Sequence, residues 1–181
     1  MATVIILNGI SSVGKTTLAK AIQQAAPGDF LHLSMDRFMA MLPDGREFAA
    51  DWFPAEHGEV DGRPLVAIEN GPLGARLLAS MRKTVAELAD SGFDVVVDEV
   101  CMAPEIADYR QRLAGHRAHV VQVSADLAEV ERRERERGDR LIGLAREQNG
   151  RVHQRIAYDQ VVDTGAHPAE ECARHILAAL A

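Results

Sequence analysis

Residues Gly9 to Thr16, Gly-Ile-Ser-Ser-Val-Gly-Lys-Thr, fit the pattern G-x-x-x-x-G-K-[ST]. Such a loop grips phosphate largely through its backbone. Gly9 and Gly14 permit a tight turn that aims successive N–H groups inward at an anion. A helix opening near Lys15 adds the positive end of its dipole. Lys15 supplies a mobile cation for β- and γ-phosphates, and the Thr16 hydroxyl is a ligand for Mg²⁺. Ser11, Ser12, Val13 and Thr17 complete the set expected around a nucleotide's phosphates.

Two acids could complete a site for phosphate chemistry. Asp98 and Glu99 close the apolar run Asp94 to Val97. An acid ending a strand beside a phosphate loop can hold Mg²⁺, often through water, and Asp98 is the first choice for that role. Asp36 follows another strand-like run, in Ser34-Met35-Asp36-Arg37. Carboxyl ends of neighbouring parallel strands open onto one crevice, so Asp36 could take the proton of an attacking hydroxyl. The alternative is that it is only the N-cap of a helix from Arg37 to Met41. Arg37 either clamps an acceptor or is solvated. Farther on, Arg133 and Arg137 share a helical face, and Gly138-Asp139-Arg140 forms a hinge-like exit. Arginines on a mobile lid neutralise charge on a transferring group. The region 126–146 is read as that lid, with Arg133, Arg137 and Arg140 as its candidate phosphate contacts.

The elements that must carry these residues alternate. Val4–Leu7, Phe30–Leu33, Asp94–Val97, His119–Val123 and Gln160–Asp163 read as strands. Lys15–Ala25, Leu73–Asp90, Glu105–Leu113, Asp126–Arg137 and Ala169–Leu180 read as helices. Val4–Leu7 is apolar on both faces, as a strand buried in a parallel sheet must be. Gly92 is placed to end the second helix. Asp126 with Glu129 resembles a capping box, and Glu129/Arg133 and Glu131/Arg135 are favourable i,i+4 pairs. The expectation is a three-layer α/β domain spanning 1–181. Residues 42–72 break the rhythm with closely spaced Gly and Pro, which predicts a long loop or small hairpin, usually functional. Trp52 and Phe53 lie there, either plugging the loop onto the core or walling a substrate site.

Composition excludes other classes. The chain has 181 residues, 47% apolar and 26% charged, which suits a globular domain and not a disordered or disulfide-built one. Its 20 basic and 27 acidic residues leave a net charge of −7, the wrong sign for a general nucleic-acid binder. No apolar run approaches membrane length, and a cytoplasmic location with no membrane partner is expected. Cys101 and Cys172 read as buried reduced thiols. His116 and His119 lack partners for a zinc site. Neither a G-x-S-x-G elbow nor an N-K-x-D signature occurs. The sequence leaves the oligomeric state open, a homo-oligomer included.

Several segments together resemble the chloramphenicol phosphotransferase family. They are Ile5-Ile6-Leu7-Asn8-Gly9-x-Ser11-Ser12-x-Gly14-Lys15, Asp36, Val97-Asp98-Glu99-Val100, Arg137-Gly138-Asp139-Arg140 with Gly143, and Tyr158-Asp159-x-x-Val162-Asp163-Thr164. The resemblance implies a P-loop kinase fold with five parallel strands in order 2-3-1-4-5. It implies transfer of the ATP γ-phosphoryl group to a small-molecule hydroxyl with Mg²⁺, Asp36 as base, Gly9–Thr16 on the phosphates and lid arginines within 133–140. In residues 37–72 only the glycine and proline punctuation matches. The acceptor therefore stays open, as does a role in antibiotic resistance or in metabolism. Rival readings are a kinase of another small alcohol (nucleoside, shikimate-like or sugar), a nucleotide-binding regulator without transfer, and an ATPase driving a partner protein.

Overall fold

The computed structural model describes residues 1–138 and 140–180. The β-branched apolar runs form a parallel sheet: β1 (Thr3–Asn8), β2 (Phe30–Ser34), β5 (Asp94–Glu99), β6 (Arg117–Ser124) and β7 (Gln160–Asp163), in spatial order β2-β5-β1-β6-β7. Counting these five alone, the order is 2-3-1-4-5, as the resemblance implied. β1 sits at the centre and is buried on both faces, which is why it carries no polar alternation. Its Ile5 and Leu7 pack into a cluster with Leu18 and Ile22 of α1 (Lys15–Ala25) and Ile176 of α7 (Ala169–Ala178). Val4 and Ile6 point the other way, toward Met81 and Val85 of α3 (Pro72–Asp90) and Ile106 and Tyr109 of α4 (Ala103–Arg112). The two-residue period of the strand thus fills two helical layers.

The turn-rich stretch forms a hairpin of β3 (Ala55–Val60) and β4 (Arg63–Ile68). Its two-residue turn, Asp61-Gly62, has positive φ at both positions (52° and 71°), matching the twist of the flanking strands. Phe53 is fully buried beneath α3: a Cβ added at Gly74 would lie 2.3 Å from the Trp52 carbonyl oxygen and 2.8 Å from the Phe53 ring.

Three local expectations are corrected. Asp36 is not an N-cap. α2 (Met35–Met39) is capped by Ser34, whose Oγ accepts from the Arg37 N–H, and Asp36 lies inside the helix. Asp126 caps α5 (Leu127–Arg137) by accepting from Ala128 N, but no capping box forms, because Glu129 turns to Arg132 and Arg133 instead. Glu131 pairs with Arg146 at 2.5 Å and not with Arg135, since α6 (Leu144–Asn149) folds back against α5. That short helix has no side-chain N-cap of its own. The buried Glu134 carboxylate of α5 accepts from the N–H groups of Gly143 (2.8 Å) and Ala145 (2.9 Å) in its place.

Candidate active site

Burial and local geometry preform the phosphate loop. A Cβ at Gly9 would meet the Val123 carbonyl oxygen of β6 at 2.5 Å, so only glycine fits where β1 leaves the sheet. Gly14, at φ 101°, lets the chain turn into α1. Lys15 folds back over the loop and donates to the carbonyls of Gly9 (2.7 Å) and Ile10 (2.9 Å). Burial pulls its ammonium down to about 8, with the carboxylates of Asp98 and Asp36 opposing that shift and Arg140 adding to it. Ser12 takes φ 61°, and its Oγ is buried with no hydrogen-bond partner among the described residues. A cation and a polar atom are therefore held out of water beside a ring of amides, which an anion would satisfy.

Around the loop opens a cleft of about 690 Å³. On one side stand Thr17, Thr164, His167 and Arg133. Arg133 lies across the outside of the loop, donating to the Thr164 carbonyl at 2.9 Å while Thr164 Oγ1 donates to the Val13 carbonyl at 2.6 Å. Opposite stand Asp36 and an apolar wall of Met35, Met39, Ile68, Leu78, Val100 and Met102. Asp36 is paired to Arg140, and Arg137 approaches it at 3.9 Å. This ties the segment after α5 to α2 across the mouth of the cleft. Asp139 lies outside the described residues.

Asp98 lines the same cleft, buried, with Oδ2 at 2.9 Å from His32 Nε2 on β2. Glu99 is committed elsewhere. Its Oε1 accepts from Arg82 (2.7 Å) and its Oε2 from the Tyr109 hydroxyl (2.7 Å). Burial raises the Glu99 carboxyl, and Arg82 and Tyr109 pull it back.

The structure thus brings Ser11, Ser12, Gly14, Lys15, Thr16, Thr17, Asp36, Asp98, Arg133, Arg137 and Arg140 to one cleft. Three candidates for the acceptor side do not reach it. Phe53 is sealed in the core below α3, where it acts as a plug, and Trp52, partly buried, precedes it with its backbone carbonyl against Gly74; neither ring lines the cleft. Arg37 is exposed on α2 and faces the His32 carbonyl at 3.5 Å. Sequence reading missed His32, Glu134 and Gln148, none of which stands in a recognisable spacing. Asn8 ties the root of the loop to the segment after β5: it accepts from Cys101 N (2.8 Å) and donates to Cys101 O (3.0 Å) and the Tyr158 hydroxyl (2.8 Å). Among the described residues no group of three or more acidic, His or Cys side chains forms a metal cage, and no helix is long and apolar enough to cross a membrane.

A central phosphate loop, an acid at the end of the adjacent strand and arginines across the cleft define a nucleotide-binding phosphotransferase of the P-loop kinase class. The fold agrees with solved kinases. APS kinase CysC of Mycobacterium tuberculosis superposes with TM-score 0.69 at 18% identity, over 99% of this chain and 97% of that one. A sugar kinase from Janibacter sp. gives TM-score 0.68 at 15% identity, over 98% and 94%. The profile of the "chloramphenicol phosphotransferase-like protein" family matches residues 2–181. A Mycobacterium tuberculosis protein named "Putative O-phosphotransferase Rv2636" is 33% identical over 178 residues, 95% of this chain and 79% of that protein. The chain belongs to the chloramphenicol phosphotransferase-like family, and its reaction is phosphoryl transfer to a hydroxyl group.

Proposed function

We propose that the protein moves the γ-phosphoryl group of ATP to a hydroxyl of a small molecule with an apolar body. The observation that carries this reading is the facing of Asp36 and the phosphate loop across one cleft whose acceptor wall is mostly thioether and aliphatic. Such a wall binds an apolar body well and a bare polyol poorly. In this reading residues 1–181 form one kinase unit, with 37–72 as the acceptor-side insertion and 126–146 as the lid. A cytoplasmic setting supplies ATP and suits the two buried free thiols, Cys101 and Cys172.

Asp36 accepts the acceptor's hydroxyl proton as its oxygen bonds to the γ-phosphorus and the bond to the β–γ bridging oxygen breaks. The Asp36 oxygens engaged by Arg140 are not open to an acceptor hydroxyl. Transfer therefore requires Arg140 to exchange Asp36 for phosphoryl oxygens, where it and Arg137 offset the spreading charge. Lys15 spans the β- and γ-phosphates, and Arg133 braces the loop against Thr164. The donor set suits Mg²⁺: the Thr16 hydroxyl and the Asp98 carboxylate both line the cleft, and Asp98 is the acid acting most strongly on Lys15 by charge. When bound, that ion would neutralise β- and γ-oxygens.

Labelled ATP with a panel of chloramphenicol, shikimate, a nucleoside and a sugar tests the reading. Product is expected with the apolar-bodied alcohol. Asp36→Asn should keep nucleotide affinity and slow transfer by about 10²- to 10⁴-fold. Full turnover by that variant would remove Asp36 from the mechanism. Product with shikimate, the nucleoside or the sugar and none with chloramphenicol would overturn the apolar-bodied acceptor.

A further inference from the structure

We infer that Gln148 discriminates triphosphate from diphosphate by competing with the γ-phosphoryl group for the backbone N–H of Ser11. The inference rests on the nucleotide reading above and assigns a residue to it.

Gln148 lies on α6, outside every motif of the phosphate loop. Its carboxamide Oε1 accepts from Ser11 N at 2.6 Å, across 137 residues of chain. Because the partner is a donor, the oxygen arm must be the one in contact, so the amide's orientation follows from the bond. Both residues are buried, Gln148 at 8% exposure and Ser11 at 8%, and both line the cleft. A buried N–H needs an acceptor. This one belongs to the stretch of loop that, with Lys15, turns its donors toward a phosphate chain. A neutral amide oxygen holds it with a bond of ordinary strength. A phosphoryl oxygen, charged and preorganised, makes the stronger bond and replaces it.

α6 is also anchored so that losing the bond would be felt elsewhere. Its first turn hangs on the buried Glu134 carboxylate of α5. The Gly143 carbonyl accepts from Val66 N of β4 at 3.3 Å, and β4 ends at Ile68 on the acceptor wall. One short helix thus touches the phosphate loop, the arginine-bearing helix and the hairpin. ADP has no γ-phosphoryl group and leaves the Gln148–Ser11 bond in place. ATP does not.

The test is calorimetric titration of the full chain, with magnesium, using ADP and the non-hydrolysable imido analogue of ATP. Gln148→Leu removes the internal competitor and should tighten the analogue by about fivefold while leaving ADP within twofold. Gln148→Glu puts a charged acceptor on Ser11 and a like charge beside the γ-phosphoryl, and should weaken the analogue by about tenfold or more with ADP again little changed. Opposite shifts in the two variants, confined to the triphosphate, are the signature. A merely structural Gln148 would move both nucleotides together. A direct phosphate ligand would lose analogue affinity in Gln148→Leu. Either result overturns the inference and leaves the nucleotide site standing. Failure of the unaltered protein to bind either nucleotide overturns both.

Discussion

Replacing Lys15 with Met should make the nucleotide-free protein more stable, although it destroys the site. Met keeps the length and apolar stem of the side chain and removes only the ammonium. Lys15 is pulled from its ordinary 10.5 to about 8, chiefly by burial. A displacement of that size corresponds to about 3 kcal/mol set against the folded state at pH 7. The carbonyls of Gly9 and Ile10 both lose their donor in the variant, which costs it about 2 kcal/mol for the two bonds. The net gain is about 1 kcal/mol, or roughly 2–4 °C in Tm for a chain of this size. The pH dependence separates this cause from improved packing. Between pH 8 and 10.5 the unfolded chain binds the Lys15 proton more tightly than the folded one. The penalty is therefore complete below pH 8 and fades as pH rises toward 10.5. Calorimetric melts in phosphate- and sulfate-free buffer should show the Met variant ahead at pH 7 and behind the parent by about pH 10. A variant that melts at or below the parent at pH 7, or keeps a constant lead at all pH values, refutes the reasoning. Added ATP should raise Tm in the parent alone.

Other consequences follow from the buried layer behind the cleft. Arg82→Met leaves Glu99 without its cation and should cost about 3–5 kcal/mol in urea denaturation. Adding Glu99→Gln should recover much of the loss, because the uncompensated charge is then gone. A double variant as unstable as the single one would show that packing and not charge holds this pair. Gly74→Ala drives a methyl into the Trp52 carbonyl and the Phe53 ring and should cost about 1–3 kcal/mol, with a shifted Trp52 emission spectrum. Unchanged stability and emission would mean that the loop is not docked under α3.

Much of the site was legible because its chemistry is local. Eight consecutive residues build the phosphate loop, and their types alone dictate a turn, a ring of amides and a helix start. The apolar run of β1 announced burial on both faces, and alternation with helices announced a parallel sheet. Asp98 and Asp36 were visible as acids ending strands, since strand ends in such a sheet share one edge. The Asp61-Gly62 turn lay inside a stretch already marked as a loop or small hairpin.

What tertiary structure alone decided was which side chains across the chain find one another. Trp52 and Phe53 suited a plug or a wall by type alone; the absence of a side chain at Gly74 made room for the Phe53 ring and took it from the cleft. Arg133, Arg137 and Arg140 carry the same charge in one short segment, yet one braces the phosphate loop and the other two reach Asp36. A carboxylate from α5 caps the first turn of α6, and that helix carries Gln148 to Ser11. Backbone conformation is written in neighbouring residue types. Pairing of buried polar groups depends on distances that only the packed sheet and helices set.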